Sequence, residues 1–385
     1  MFFHIGQIKD NFPYHYSHDG LYINLDEGWN SGKDENGNQL YFKGYADNYN
    51  LNDILNQVAN QEEPFYTGNF CVIKCFDKGI TLKTDRYRSF PLWYNKKSGL
   101  TNLTNIGYQI WTDSFAMLTK NYDLVESKFD IIPEFETSLL SFEEVVNRVD
   151  QLLQEKILNF VKNNTLPLRS FLTGGIDTGL LYSYLNKFKI KNELIKYTHI
   201  DFDYFYVKNH VTLMNFWGYN QVHHWKNPCV ILSGAPGDEF TVRSPYTVNM
   251  MLKYLKTNIP ELLAQNKYKN SLHFEYFSKE SYKEIWHSQQ NLLFDSRKEV
   301  ITKCLHLVLN DYQHWHLGHT ITWTPLRDIE FFITIARLSN EELKDHIMNS
   351  TIQKELIKRN FPELLACLST NKNSGNYMEH LTNIL

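Results

Sequence analysis

Leu168-Arg169-Ser170-Phe171-Leu172-Thr173-Gly174-Gly175-Ile176-Asp177-Thr178-Gly179-Leu180-Leu181-Tyr182 runs from an extended apolar segment, through a double glycine, into a helical pattern. The apolar positions Ile176, Leu180, Leu181, Tyr184 and Phe188 continue that pattern. A strand–turn–helix of this kind aims several backbone N–H groups at one point on the positive end of a helix, which is an anion site. Gly174 and Gly175 let the backbone approach phosphate oxygens where a side chain would collide. Thr173 and Thr178 add hydroxyls on either side of the turn. Asp177 would repel a bound phosphate unless a cation lay between them, so its presence points to Mg²⁺ bridging protein and nucleotide. No Gly-Lys-Ser/Thr ending follows, which excludes the phosphate loop of kinases and GTPases. The plain alternative is a glycine turn with an acid opening the helix.

Downstream, Cys229-Val230-Ile231-Leu232-Ser233-Gly234-Ala235-Pro236-Gly237-Asp238-Glu239-Phe240 reads as a second buried strand ending in small residues and two acids. Asp177 and Asp238 are 61 positions apart, room for a helix, a strand and a second helix. In a parallel sheet both loops then lie at the carboxyl edge, where ligands bind. Asp238 could share a magnesium with Asp177, and Ser233 and Gly234 could line the pocket. Alternatively, Asp238 and Glu239 are first-turn acids that suit a helix dipole.

The chain has 385 residues, enough for two domains. It is 42% hydrophobic and 21% charged, so it can bury real cores. A formal charge of −4 advertises neither a nucleic-acid partner nor an anionic membrane surface. No apolar run approaches the ~18 residues of a membrane span, and the first ten residues lack the layout of a signal peptide. The expectation is a soluble, cytoplasmic protein. Five scattered cysteines, Cys71, Cys75, Cys229, Cys304 and Cys367, argue against a disulfide framework and read as buried thiols.

Residues 21–105 are short and strand-like. Residues 66–77 form a strand that turns at Asp77-Lys78-Gly79 into a return strand over 80–85, and 92–94 is another short strand. Residues 128–140, with Pro133 and no clean period, read as a linker. Ser141-Phe142-Glu143-Glu144 is a capping box opening a helix, with an apolar stripe through Val145, Val149, Leu152, Leu153 and Phe160. Beyond it, strands alternate with helices. The fold class expected is α/β: a β-rich layered part over 1–127, then a parallel-sheet domain over 141–385.

The first loop resembles the Ser-Gly-Gly-x-Asp-Ser pyrophosphate loop of the adenine-nucleotide α-hydrolases, with threonine for both serines. With the second loop it resembles the asparagine synthetase family, whose second motif runs Leu-Ser-Gly-x-Gly-x-Asp-Glu. Gly318 to Asp328 is similar to that family's acceptor segment, one residue shorter, and Leu364 to Lys372 to its closing segment. Gly68-Asn69-Phe70 and Lys83 to Tyr94 resemble motifs of its amidotransferase half. The resemblance implies a class II amidotransferase-like domain followed by an ATP-pyrophosphatase domain. The implied activity cleaves ATP to AMP and pyrophosphate, activates a small-molecule or peptide carboxylate as an acyl-adenylate, and hands it to an amine or ammonia. It implies phosphate contacts from Thr173, Gly174, Gly175, Asp177 and Thr178, and pocket contacts from Ser233 and Gly234. Mg²⁺ would sit on Asp177 and Asp238, and Lys372 would stabilise charge on the leaving pyrophosphate.

Two departures stand out. The family's glutaminase works through an amino-terminal cysteine; here position 2 is Phe2, which has no nucleophilic atom. At the acceptor segment Ile321 replaces the family's glutamate and Trp323 its arginine. Either another amine attacks the adenylate, as in β-lactam synthetases and lasso-peptide cyclases, or the chain is a catalytically impaired nucleotide-binding scaffold. Trp323 would suit a larger, less polar substrate than aspartate. The histidines His314, His316 and His319 fit a strand as well as a metal site, and His223-His224 reads as pocket lining.

Overall fold

The computed structural model describes residues 3–7, 9, 12–47, 50, 53, 67–87, 92–95, 99–101, 110–112, 115–119, 124–126, 132–171, 174–195, 227–235, 237–244, 247, 250–251, 254–255, 294–311 and 319–368. Over these the protein is mixed α/β, with two antiparallel sheets and one parallel sheet.

Both antiparallel sheets are six-stranded and come from residues up to Glu126. The expected hairpin is present: Gly68–Phe76 pairs with Gly79–Thr84, Phe76 opposite Gly79. Phe3, Ile5, Leu21, Ile23 and Leu100 from one sheet pack against Tyr41, Cys71, Ile73, Ile80 and Leu82 from the other. The alternation of each strand therefore fills one core between two layers. Cys71, Cys75, Cys229 and Cys304 are free, buried thiols.

The helix Phe142–Asn163 starts where the capping box places it, with the Ser141 side chain accepting from the Glu144 N–H. Its buried stripe of Val145, Val146, Val149, Leu153, Ile157 and Phe160 lies on the second core. The parallel sheet has four strands in the order Glu193–Ile195, Leu168–Phe171, Cys229–Leu232, Thr320–Trp323. The chain leaves Leu168–Phe171 toward one neighbour, then returns to pair Cys229–Leu232 on the other side. That reversal is a topological switch point, the place where open α/β sheets bind ligands.

The cores meet through Cys229–Leu232. Val230 and Leu232 face the core of the parallel-sheet half, and Ile231 joins the core between the antiparallel sheets. Beside them the Tyr45 hydroxyl accepts from the Thr324 N–H at 3.1 Å, and the Tyr87 hydroxyl donates to Asp328 at 2.9 Å. Lys156 Nζ donates to Asp47 at 2.9 Å and to Asp328 at 2.7 Å, all three side chains being largely buried. Burial opposes the Lys156 charge, but the two carboxylates hold it firmly protonated. Burial also pushes the Asp328 carboxyl up, yet Lys156 brings it below the usual carboxylate range.

Replacing Lys156 by Met leaves two carboxylates buried without their cation. The expected loss is about 3–5 kcal/mol, the cost of breaking a buried pair by removing one partner. Urea unfolding measures it, and a loss under about 1 kcal/mol, the worth of an exposed pair, would show that water reaches the cluster.

Candidate functional site

The strand Leu168–Phe171 runs in register beside Cys229–Leu232, Leu168 opposite Val230 and Ser170 opposite Leu232. Each strand therefore releases its loop at the same edge. Gly174 has φ 81°, the left-handed region that glycine enters without strain. The helix Ile176–Lys187 begins after Gly175 with no side-chain cap on its first turn. The first turn of this helix also carries Asp177.

The second loop presses directly onto the first. A Cβ at Gly234 would lie 2.7 Å from both the backbone N and the Cγ2 of Thr178, and one at Gly237 would run into the Asp177 carboxylate and lie 2.7 Å from its Cβ. At Gly234 the adjoining backbone leaves no room for a side chain, and at Gly237 the Asp177 side chain does the same. Gly237–Phe240 is a single helical turn that presents Asp238.

The two acids converge on Arg243. Its Nη2 lies 2.6 and 2.7 Å from the oxygens of Asp177 and 2.8 Å from Asp238 Oδ1. Nη1 donates to the Ser350 hydroxyl at 2.7 Å and Nε to Thr241 Oγ1 at 3.1 Å. Gln353 is best satisfied with its amide oxygen turned inward, accepting from Arg243 Nε at 3.0 Å. The Arg243 side chain is 8% exposed and Asp177 14%, whereas Asp238 is 56% exposed, so the clamp is dry on one side and wet on the other. Burial pushes the Asp177 carboxyl up to about 6 against the pull of Arg243, leaving it ionised at neutral pH. Arg243 itself, despite burial, is held more firmly protonated by the two acids. Behind it His346 donates from Nε2 to the Thr241 carbonyl while Nδ1 accepts from Ile352 N–H. Burial, with Arg243 alongside, pushes this imidazole down to about 3, so it stays neutral.

The backbone that aims the guanidinium is strained. The Arg243 N–H returns to the Asp238 carbonyl at 2.7 Å, a Schellman-like closure that puts Val242 in the left-handed position glycine usually takes. Val242 has φ 62° and is buried; for a β-branched residue that conformation is an outlier. Ser350, which accepts from Nη1, has φ 53° at the junction of the helices Asn340–Asn349 and Thr351–Asn360.

The sequence-derived site residues are distributed as follows. Asp177, Asp238, Gly174, Gly175, Thr178, Ser233 and Gly234 belong to the two abutting loops. The Thr178 hydroxyl donates to the Gly175 carbonyl at 2.9 Å, inside its own helical turn, and the Ser233 hydroxyl accepts from the Ala235 N–H. Thr173, Lys372, Phe2, His223, His224, His314 and His316 lie outside the described residues. Four positions before Lys372, Leu368 meets Gly179 on the loop helix. Trp323 requires a correction: it is not substrate lining. It is 1% exposed and stacks on Phe160 with ring centroids 3.9 Å apart. Strand alternation turns it, with the partly buried Ile321, toward the core.

A divalent ion does not fit between Asp177 and Asp238 as they stand. The guanidinium fills the gap, and among the described residues no group of three or more His, Cys, Asp or Glu could hold a metal. Sequence reasoning missed Arg243, since nothing in the residue types around Val242 announces its left-handed backbone.

No family model matches the chain. It is similar to phenylacetaldehyde synthase of Petunia hybrida, at 31% identity over 157 residues, which span 37% of this chain and 29% of the Petunia protein. The chain thus covers less than a third of that relative's length. Among the described residues no helix is long and apolar enough to cross a membrane.

Gly237→Ala tests the contact between the loops. The three atoms nearest the added methyl all belong to the Asp177 side chain, and overpacking of this kind costs about 1–3 kcal/mol. Thermal unfolding should register that loss, and a variant as stable as the parent would show that the loops stand apart.

Proposed function

We propose that the chain binds adenine nucleotide at the carboxyl edge of its parallel sheet, as an asparagine synthetase-type ATP-pyrophosphatase domain joined to an amidotransferase-like domain without glutaminase chemistry. In this reading it is an ATP-dependent carboxylate–amine ligase. The observation that supports it is the pressing together of two glycine loops at a switch point, the first of them leading directly into the N-terminus of the helix Ile176–Lys187.

The first loop and its helix would take the β and γ phosphates on backbone N–H groups, and Ser233 and Gly234 would border the pocket. A carboxylate oxygen of the substrate attacks the α phosphorus, the bond to the bridging oxygen breaks, and pyrophosphate leaves. An amine or ammonia then attacks the acyl carbon, AMP departs, and the nitrogen gives up a proton. The protein's share would be alignment of the reacting groups and exclusion of water; Lys372, outside the described residues, is the residue the family resemblance would assign to the leaving pyrophosphate.

A second reading, nucleotide binding without turnover, is favoured by one observation: the Arg243 guanidinium sits between the two acids. Equilibrium dialysis with labelled ATP, followed by product analysis with pools of carboxylic acids and amines, separates the readings. Bound ATP together with AMP and pyrophosphate that depend on an added acid supports the ligase. Bound ATP with no AMP supports the silent scaffold. ATP that does not bind at millimolar concentration rejects both.

A further inference from the structure

The acid pair is the feature that the proposed nucleotide reading does not absorb. A carboxylate pair at a phosphate loop is ordinarily bridged by a hard divalent cation with oxygen ligands. Here one guanidinium nitrogen reaches three carboxylate oxygens at 2.6–2.8 Å. The arginine is anchored on its far side by Ser350 and Thr241, so it is held by four residues besides Gln353. Two non-glycine residues in left-handed backbone, Val242 and Ser350, flank that arrangement. Strained positions of this kind are unfavourable in themselves and persist only where the surrounding structure fixes them.

We propose that Arg243 is the resident cation of this site, replacing the divalent ion between Asp177 and Asp238, so that the acid pair binds no metal. The inference stands on the geometry of the clamp and holds whether or not the nucleotide is turned over. A guanidinium is planar, permanently charged and cannot exchange with solvent ions. It satisfies Asp177 through two short charge-assisted contacts and leaves Asp238 one contact and a solvated face. The chain thereby exchanges an ion whose occupancy depends on its concentration for a covalently tethered charge.

The test is Mn²⁺ binding followed by electron paramagnetic resonance on the full-length protein without nucleotide. The wild-type chain should take up no more Mn²⁺ than the Asp177→Asn variant. Arg243→Ala, which frees both carboxylates, should raise Mn²⁺ affinity by about ten-fold or more, as expected when paired carboxylates become open to a hard cation. Adding Asp177→Asn to that variant should remove the gain. Circular dichroism reports whether Arg243→Ala folds, with Arg243→Gln as the second variant. Wild-type Mn²⁺ uptake that Asp177→Asn abolishes overturns the proposal, as does a folded Arg243 variant that gains nothing. Should neither variant fold, the wild-type comparison alone decides. ATP binding is measured separately by dialysis, so failure of the nucleotide reading and failure of this inference are distinguishable.

Discussion

The in-register parallel pairing of Leu168–Phe171 with Cys229–Leu232 is the constraint on which the site depends. Parallel strands end at the same edge, and two neighbours in one sheet stand about 4.8 Å apart. Loops released from such neighbours are forced into backbone contact, and only glycine allows it. Gly234 lies against the Thr178 backbone for this reason, and Gly237 lies against the Asp177 side chain. The same closeness brings Asp177 and Asp238 within reach of one group, although 61 positions separate them in the chain.

Two carboxylates brought that close repel each other, and the fold must offset the repulsion. A divalent ion would cancel both charges; one arginine cancels one. The structure puts the residual charge where water can screen it, since Asp177 is buried with bidentate contact and Asp238 is more than half exposed. His346 completes the arrangement by staying neutral. A charged imidazole beside Arg243 would face like charge in a buried space, and its Nε2–H and Nδ1 are both committed to backbone partners. The buried polar cluster therefore carries one cation and one ionised acid on its dry side.

The capping box, the hairpin and both strand–glycine–acid stretches were legible in the sequence because each is local: its residue types and spacing carry the geometry. The convergence of Asp177 and Asp238 was legible one step further out, through the rule that parallel strands share an edge. Arg243 was not, because its role depends on Val242 adopting a left-handed backbone and on Ser350 arriving from a helix junction more than a hundred positions later. Trp323 was misread for a related reason. A position in a motif says which strand a side chain sits on, but the face it takes depends on what covers the sheet, and here Phe160 covers it. Thr320–Trp323 thus reads as a core strand at that residue.

The layered half has a structural role that requires no chemistry of its own. Successive residues of Cys229–Leu232 point alternately into the two cores, Val230 and Leu232 into one and Ile231 into the other. The strand that carries the second acid is consequently gripped on both faces, and the antiparallel sheets form one jaw of that grip. Tyr45 and Tyr87 reach back to Thr324 and Asp328, fixing the neighbouring strand's exit, and Lys156 neutralises the acids that this junction buries. That jaw includes the first strand, whose Phe3 and Ile5 share the core that Ile231 enters.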